Sequence, residues 1–252
     1  MRWSPFARRT ELARLGLATL SYGQAALRLI RAELAVVMAL GLLGATSWSF
    51  MTIADEVVEG ETRATDERIL LALRNVADPS DPIGPRWFEE MMRDFTALGG
   101  IAFLSLLTLA ICGWLLFDRR RFPALVIAAS VAGGMVLSLA LKFGYARPRP
   151  DLVPHGSEVY TASFPSGHAM MSAAVYLTLG VLLARVQPGR HLKIYFLALA
   201  VLLTVLVGIS RVYLGVHWPS DVLAGWSAGA AWATLCWLAT LWAQRRAAQP
   251  EG

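Results

Sequence analysis

Apolar residues along this chain are grouped into long runs and do not alternate with polar ones. Stretches near 34–53, 99–117, 123–141, 168–184, 194–210 and 221–243 each offer roughly the length of apolar helix that crosses a hydrocarbon core, about 20 residues. Each is expected to be helical, because a backbone inside lipid has no water to pair with and a helix satisfies its own amides and carbonyls. The expected fold class is therefore all-α, a polytopic integral membrane bundle of about six transmembrane helices.

The first two runs are separated by an acidic segment, Asp55 to Asp94, which is more than a linker. Thr65-Asp66-Glu67 is expected to cap a helix whose Ile69, Leu70, Leu73 and Val76 recur at helical spacing. Asp78-Pro79-Ser80-Asp81-Pro82 is expected to end that helix, and a second short one around Trp87 to Phe95 should lead into Gly99-Gly100. The organisation expected is a basic cytoplasmic or interfacial segment at 1–33 and a single membrane domain at 34–243. Within that domain, 54–98 forms an extracytoplasmic insertion of short amphipathic helices, and 244–252 is a cytoplasmic tail.

Composition strengthens the membrane reading. Of 252 residues, 56% are hydrophobic and 16% charged, with mean hydropathy +0.51, against about 45–50% apolar and about 25% charged in an average soluble domain. The net charge of +5 is explained by orientation and requires no nucleic-acid partner. Arg2, Arg8, Arg9, Arg14, Arg28 and Arg31 surround an amphipathic pattern that lacks a cleavage site, as expected of a helix lying in the membrane interface. Arg119, Arg120, Arg121, the Arg185 to Lys193 loop, Arg245 and Arg246 fall on the same side as that segment. By the positive-inside rule this side is cytoplasmic, so the chain is expected in the cell's inner (cytoplasmic) membrane with both termini on the cytoplasmic side. The acidic segment and the connections 142–167 and 211–220 then face outward. Cys112 and Cys236 lie far apart in apolar runs and read as inert. Trp48, Trp87, Trp218, Trp237 and Trp242 read as interfacial anchors. Gly133-Gly134 and the small residues Ala224, Gly225, Ala228 and Gly229 read as sites of close helix packing.

Polar groups that spans normally avoid gather at three points, all on the outward side. They are Lys142 to Pro150, Phe164-Pro165-Ser166-Gly167-His168, and Ser210-Arg211 followed by His217 and Asp221. Singly, each has a plain explanation: a snorkelling cluster, a turn before a helix, a helix-start pair. Those explanations do not account for their coincidence on one face. Together the residue types make an anion site. Lys142, Arg149 and Arg211 bring positive charge, and guanidinium forks suit phosphate oxygens. Ser166 and Gly167 precede a helix whose first amides favour an anion. His168 and His217 are available for acid–base or nucleophilic work.

With these residues the chain resembles the type 2 phosphatidic acid phosphatases, or lipid phosphate phosphatases. The family's tripartite signature is matched in order and spacing: Lys142, six residues, Arg149-Pro150; Pro165-Ser166-Gly167-His168; and Ser210-Arg211, five residues, His217, three residues, Asp221. The resemblance implies that His217 attacks phosphorus to form a phosphohistidine, with Asp221 orienting its ring and His168 protonating the leaving oxygen. Lys142, Arg149, Arg211, Ser166 and the Gly167 amide would hold the nonbridging oxygens. It implies no metal and no cofactor. The substrate would be a lipid phosphate monoester or diphosphate, such as phosphatidylglycerol phosphate, phosphatidic acid or undecaprenyl diphosphate. Arg147 touches phosphate, positions its loop or meets a lipid head group. His155 would edge the substrate entrance, and His191 reads as a solvated loop residue. Two other readings share the anion site. Vanadium-dependent haloperoxidases carry the same motifs but are soluble, and a lipid binder or transporter would hold the anion without turnover.

Overall fold

The computed structural model describes the backbone of residues 5–153 and 161–247 and, within those ranges, the side chains of Ile30 and of Glu33 to Arg246. The described residues form eight helices and no strand: α1 (Pro5–Glu59), α2 (Arg63–Ala72), α3 (Arg86–Leu98), α4 (Ile101–Phe117), α5 (Arg121–Tyr145), α6 (Gly167–Val186), α7 (Arg190–Tyr213) and α8 (Pro219–Ala247). The chain up to Leu42 is a unit of its own within α1, and the contacts described below belong to the second unit, from Leu43 onward.

Among the described residues, five helical segments are long and apolar enough to cross a membrane: Glu33–Glu59, Arg121–Tyr145, Gly167–Val186, Arg190–Tyr213 and Pro219–Arg246. The span expected at 99–117 differs. Alone, α4 has 17 residues, and it reaches a span's length only together with α3, from which it is bent by 49°. The break falls at Gly99-Gly100, where a Cβ on Gly99 would lie 2.3 Å from Val207 of α7 and 3.3 Å from the His168 carbonyl oxygen. Only a residue without a side chain lets the bend press this closely on its neighbours.

The connecting segment also departs from expectation in detail. α1 continues to Glu59 and stops at Gly60, whose φ of +82° turns the chain, so the first residues assigned to the insertion prolong the span. α2 begins at Arg63, ahead of Thr65-Asp66-Glu67, and ends at Ala72, well before the Asp78-Pro82 run. Asp66 therefore caps nothing at the start of α2. It is buried inside the helix, while Ile69 and Val76 are exposed and only Leu70 and Leu73 pack inward. Just past the end of α2, Arg74 turns inward to donate to the Tyr213 carbonyl and pairs by an isolated bridge with Pro82. α3 forms where the second short helix is expected and stops at Gly99.

α6 is the central helix, packed along α7 and α8 and flanked by α5. Small residues permit this. A Cβ on Gly225 or Gly229 of α8 would fall within 2.7 or 2.3 Å of the carbonyl oxygens of Ser166 and Met170. The Gly133-Gly134 pair serves a different purpose, leaving room for the Trp232 ring, whose Nε1 donates to the Ser130 carbonyl at 2.7 Å. Outward faces carry Leu106, Leu109, Leu125, Val136 and Val201, exposed as a lipid-facing surface requires. Trp48, Trp87 and Trp242 are exposed as anchors would be, but Trp218 is not one of them. It is 1% exposed, with its Nε1 donating to the Pro148 carbonyl at 3.1 Å and the guanidiniums of Arg63 and Arg147 over its ring. His191 is exposed, though in the first turn of α7 and not in a loop. His155 lies outside the described residues, as do the chain's first four residues and the last five of the tail.

Candidate active site

Four helix ends meet at one end of the bundle, the last turns of α5 and α7 and the first turns of α6 and α8. Their polarity suits what they carry. Lys142 and Arg211 sit in last turns, where helix carbonyls favour cations. His168 and Asp221 sit in first turns, where free amides favour anions. After Tyr145 the chain reverses through Ala146 at φ 47°, and Arg147-Pro148-Arg149-Pro150 runs on without helix because neither proline can extend one.

Six of the eight residues singled out from the sequence line one cavity of about 310 Å³: Lys142, Arg149, Gly167, His168, Arg211 and His217. Its remaining wall is mostly apolar, with Ile101, Leu104, Val131, Met135, Leu139 and Met171. The other two lie behind it. Ser166 is fully buried and its hydroxyl accepts from the Ala169 amide at 3.5 Å, so it caps α6; its own amide donates to the Asp221 carbonyl at 3.0 Å, tying the starts of α6 and α8 together. Asp221 is fully buried behind His217.

The hydrogen bonds around His217 assign its tautomer. Arg149 Nη1 lies 3.1 Å from His217 Nε2, and a guanidinium can only donate, so Nε2 carries the lone pair. The ring proton then sits on Nδ1, 3.3 Å from Asp221 Oδ2. Burial, and after it the positive charge of Arg211, Arg149 and Lys142, holds His217 well below its ordinary pKa of 6.5. The ring is thus neutral at pH 7, with its basic nitrogen beside the cations. Burial also lowers Arg149 from its usual value, partly offset by the Asp221 charge. Arg149 is oriented by Nε to the Thr161 carbonyl at 2.9 Å and Nη1 to the Val216 carbonyl at 2.7 Å. Lys142 Nζ donates to the Ala162 carbonyl at 2.6 Å.

Asp221 collects more partners than its spacing from His217 suggests. Oδ2 accepts from the Trp218 amide at 3.0 Å and from the Ser163 hydroxyl, and Oδ1 accepts from Arg147 Nη1 at 2.7 Å. Arg147 is therefore not a cavity residue but a partner of Asp221, which resolves the alternative left by the sequence. Thr161, Ser163, Trp218 and Asp66 have no motif position, and sequence reasoning missed them. The one available signal was Asp66, a carboxylate four residues before Leu70 and so on the same helix face, and it also reads as a cap. Among the described residues, no three His, Cys, Asp or Glu side chains gather as a metal site.

The chain is similar to known proteins. The model of the PAP2 superfamily matches residues 123–245. Phosphatidylglycerophosphatase B of Bacillus subtilis (strain 168) is 35% identical over 182 residues, 71% of this chain and 85% of that protein. An undecaprenyl-diphosphatase of Sulfolobus acidocaldarius is 34% identical over 123 residues, 46% of this chain and 54% of that protein. The crystal structure of a transmembrane PAP2 type phosphatidylglycerolphosphate phosphatase from Bacillus subtilis superposes with a TM-score of 0.71 at 30% identity, covering 83% of this chain and 98% of that one.

Proposed function

The chain belongs to the PAP2 superfamily and is a multi-pass membrane lipid phosphatase, and on that premise we propose that it releases phosphate through a phosphohistidine on His217. The observation that carries this reading is the lone pair of His217 Nε2 facing the cation-lined cavity while Nδ1 is held on Asp221. Nε2 attacks phosphorus as the bond to the lipid oxygen breaks, and His168 gives that oxygen its proton. Water then attacks the phosphohistidine, His168 takes the water's proton, and His217 leaves. Lys142, Arg149, Arg211 and the Gly167 amide neutralise the nonbridging oxygens, with Ser166 holding the start of α6 in place. Cationic side chains supply the charge a metal would bring, so neither metal nor cofactor enters this proposal.

The apolar wall of the cavity suits a lipid tail. Phosphatidylglycerol phosphate is the substrate best supported, through the phosphatidylglycerophosphatase B relative. Undecaprenyl diphosphate is the second reading, supported by the relative named for that activity. The basic residues Arg119 to Arg121, Arg185 to Lys193 and Arg245-Arg246 support a cytoplasmic-membrane location with both termini inside and the site facing out.

The test is phosphate release from a lipid phosphate and from an aryl phosphate, with rapid alkaline quench to trap phosphohistidine. His217→Ala should lower turnover at least about 10⁴-fold on both substrates and leave no trapped phosphoenzyme. Wild-type activity should persist in EDTA and be inhibited by vanadate, which takes up the five-coordinate geometry of the transfer. Near-normal turnover by His217→Ala, or loss in EDTA restored by magnesium, would overturn the mechanism. Phosphate binding without turnover in the wild type would favour a lipid binder.

A further inference from the structure

Asp66 is remote from every motif. It lies on α2, in the segment between the first two spans, and 154 residues separate it from Ser220. Yet it is 2% exposed, and each of its carboxylate contacts is aimed at the start of α8 or at Arg147. Oδ1 accepts from the Ser220 amide at 2.9 Å, while Oδ2 accepts from the Ser220 hydroxyl at 2.6 Å and from Arg147 Nη2 at 2.9 Å. Asp66 therefore does for α8, from another element, what an N-cap does from the chain itself, placing a carboxylate on an otherwise unpaired first-turn amide.

The second half of the arrangement is Arg147. Its Nη1 holds Asp221 Oδ1 at 2.7 Å and the Ser220 hydroxyl at 2.8 Å, while Nη2 holds Asp66 and, at 3.2 Å, the Thr62 hydroxyl. One guanidinium thus bridges two buried carboxylates with separate nitrogens, and an unbroken chain runs from Asp66 through Arg147 and Asp221 to His217 Nδ1. Apolar packing also holds α2 here: Leu70 is fully buried in one cluster with Trp218, Val222, Ala169 and Val212.

We infer that Asp66 is a positioning residue for phosphoryl transfer, fixing Asp221, and through it the ring of His217, by way of Arg147 and Ser220. This rests on the phosphohistidine reading above. Without the Asp66 charge, Arg147 keeps only one of its two carboxylates, the first turn of α8 loses its cap, and the Asp221 carboxylate, gripped by Arg147 at Oδ1 and facing Nδ1 with Oδ2, is held less firmly. The group acts on the orientation of the nucleophile and does not touch the phosphate.

The test uses the full-length protein in detergent, with Asp66→Asn, which keeps the shape and an acceptor for the Ser220 amide, and Arg147→Lys, which keeps the charge but cannot bridge two carboxylates. Glu61→Gln, an exposed change nearby, is the control. Asp66→Asn should lower kcat and the rate of phosphoenzyme formation about 10–100-fold, as loss of a supporting partner commonly does, with KM and vanadate inhibition within about twofold of wild type. In an Asp221→Asn background the same substitution should cost nothing further, because its route to His217 is already cut. A wild-type kcat for Asp66→Asn would overturn the inference. So would a loss that adds in full to that of Asp221→Asn, or one that appears mainly in KM. If Asp66→Asn does not fold, Arg147→Lys decides by the same readouts. Retained turnover by His217→Ala would instead refute the phosphohistidine reading, so the two failures are distinguishable.

Discussion

The two ends of the helix bundle carry similar numbers of cationic groups but handle them in opposite ways. At the end formed by the α4–α5 and α6–α7 turns, Arg119, Arg120, Arg121, Arg190 and Lys193 are exposed, and the pair between Arg120 and Asp118 is open to solvent on both sides. Such pairs are worth about 0–1 kcal/mol. At the other end Arg211 is 3% exposed, Arg147 is bonded to two carboxylates, and Arg149 is fixed by two backbone carbonyls. Desolvation there is costly, and these hydrogen bonds and the helix termini help to offset it. The comparison teaches that charge at a membrane protein's helix ends divides by burial. Exposed cations are the ones suited to setting orientation, and buried ones, held in fixed geometry, are suited to chemistry.

The two histidines of the buried end offer the strongest test of that division. His217 is enclosed and bonded at both nitrogens, whereas His168 is half-buried on the cavity wall near the Gly99-Gly100 break. His168→Ala should cost about 10²–10⁴-fold on a lipid ester and distinctly less on an aryl phosphate, whose leaving oxygen needs little protonation. Phosphate-release rates on both substrates check this, after each variant is shown to be folded. Equal damage on both would remove the acid role from His168.

A smaller effect should follow pH. Because burial and neighbouring cations depress the folded-state pKa of His217 well below 6.5, kcat/KM should show no acid limb from this ring near pH 6.5 and should fall roughly tenfold per pH unit only below the depressed value. Stability moves the same way. The contribution from this ring is complete above pH 6.5 and is lost as pH falls from there through the depressed value, since the unfolded chain takes up a proton that the folded one refuses. Thermal transitions in detergent between pH 8 and pH 5 should therefore drop less for His217→Asn than for wild type. An equal drop in both would sink the assignment.

The smallest effect is expected at the opposite end. Arg120→Cys should change stability by no more than about 0.5 kcal/mol and leave turnover intact. In intact cells its thiol should escape a membrane-impermeant reagent that labels Ser80→Cys. The reverse labelling would invert the topology and place the buried end inside.

Much of this molecule is legible in its sequence. Hydropathy is a local property, so the apolar runs and the α3 helix before Gly99-Gly100 could be read directly, and the motif spacing within 142–150, 165–168 and 210–221 brought Lys142, Arg149, Gly167, His168, Arg211 and His217 to one cavity. What could not be read is whatever depends on which helix faces which. Asp66 looked like a cap because a carboxylate near a helix start usually is one, and Trp218 looked like an anchor because tryptophan near a span's end usually is one. Packing of α2 on α8 buried both, and it turned Arg147 from a candidate phosphate ligand into the bridge between Asp66 and Asp221. The sequence by itself determined five of the spans and the chemistry available at their ends, because both follow from residue type and short-range spacing, while the bend that joins α3 to α4 follows from packing against α6 and α7. Only the tertiary structure decided which buried charges neutralise one another, because a carboxylate's partner is set by the approach of helices many residues apart.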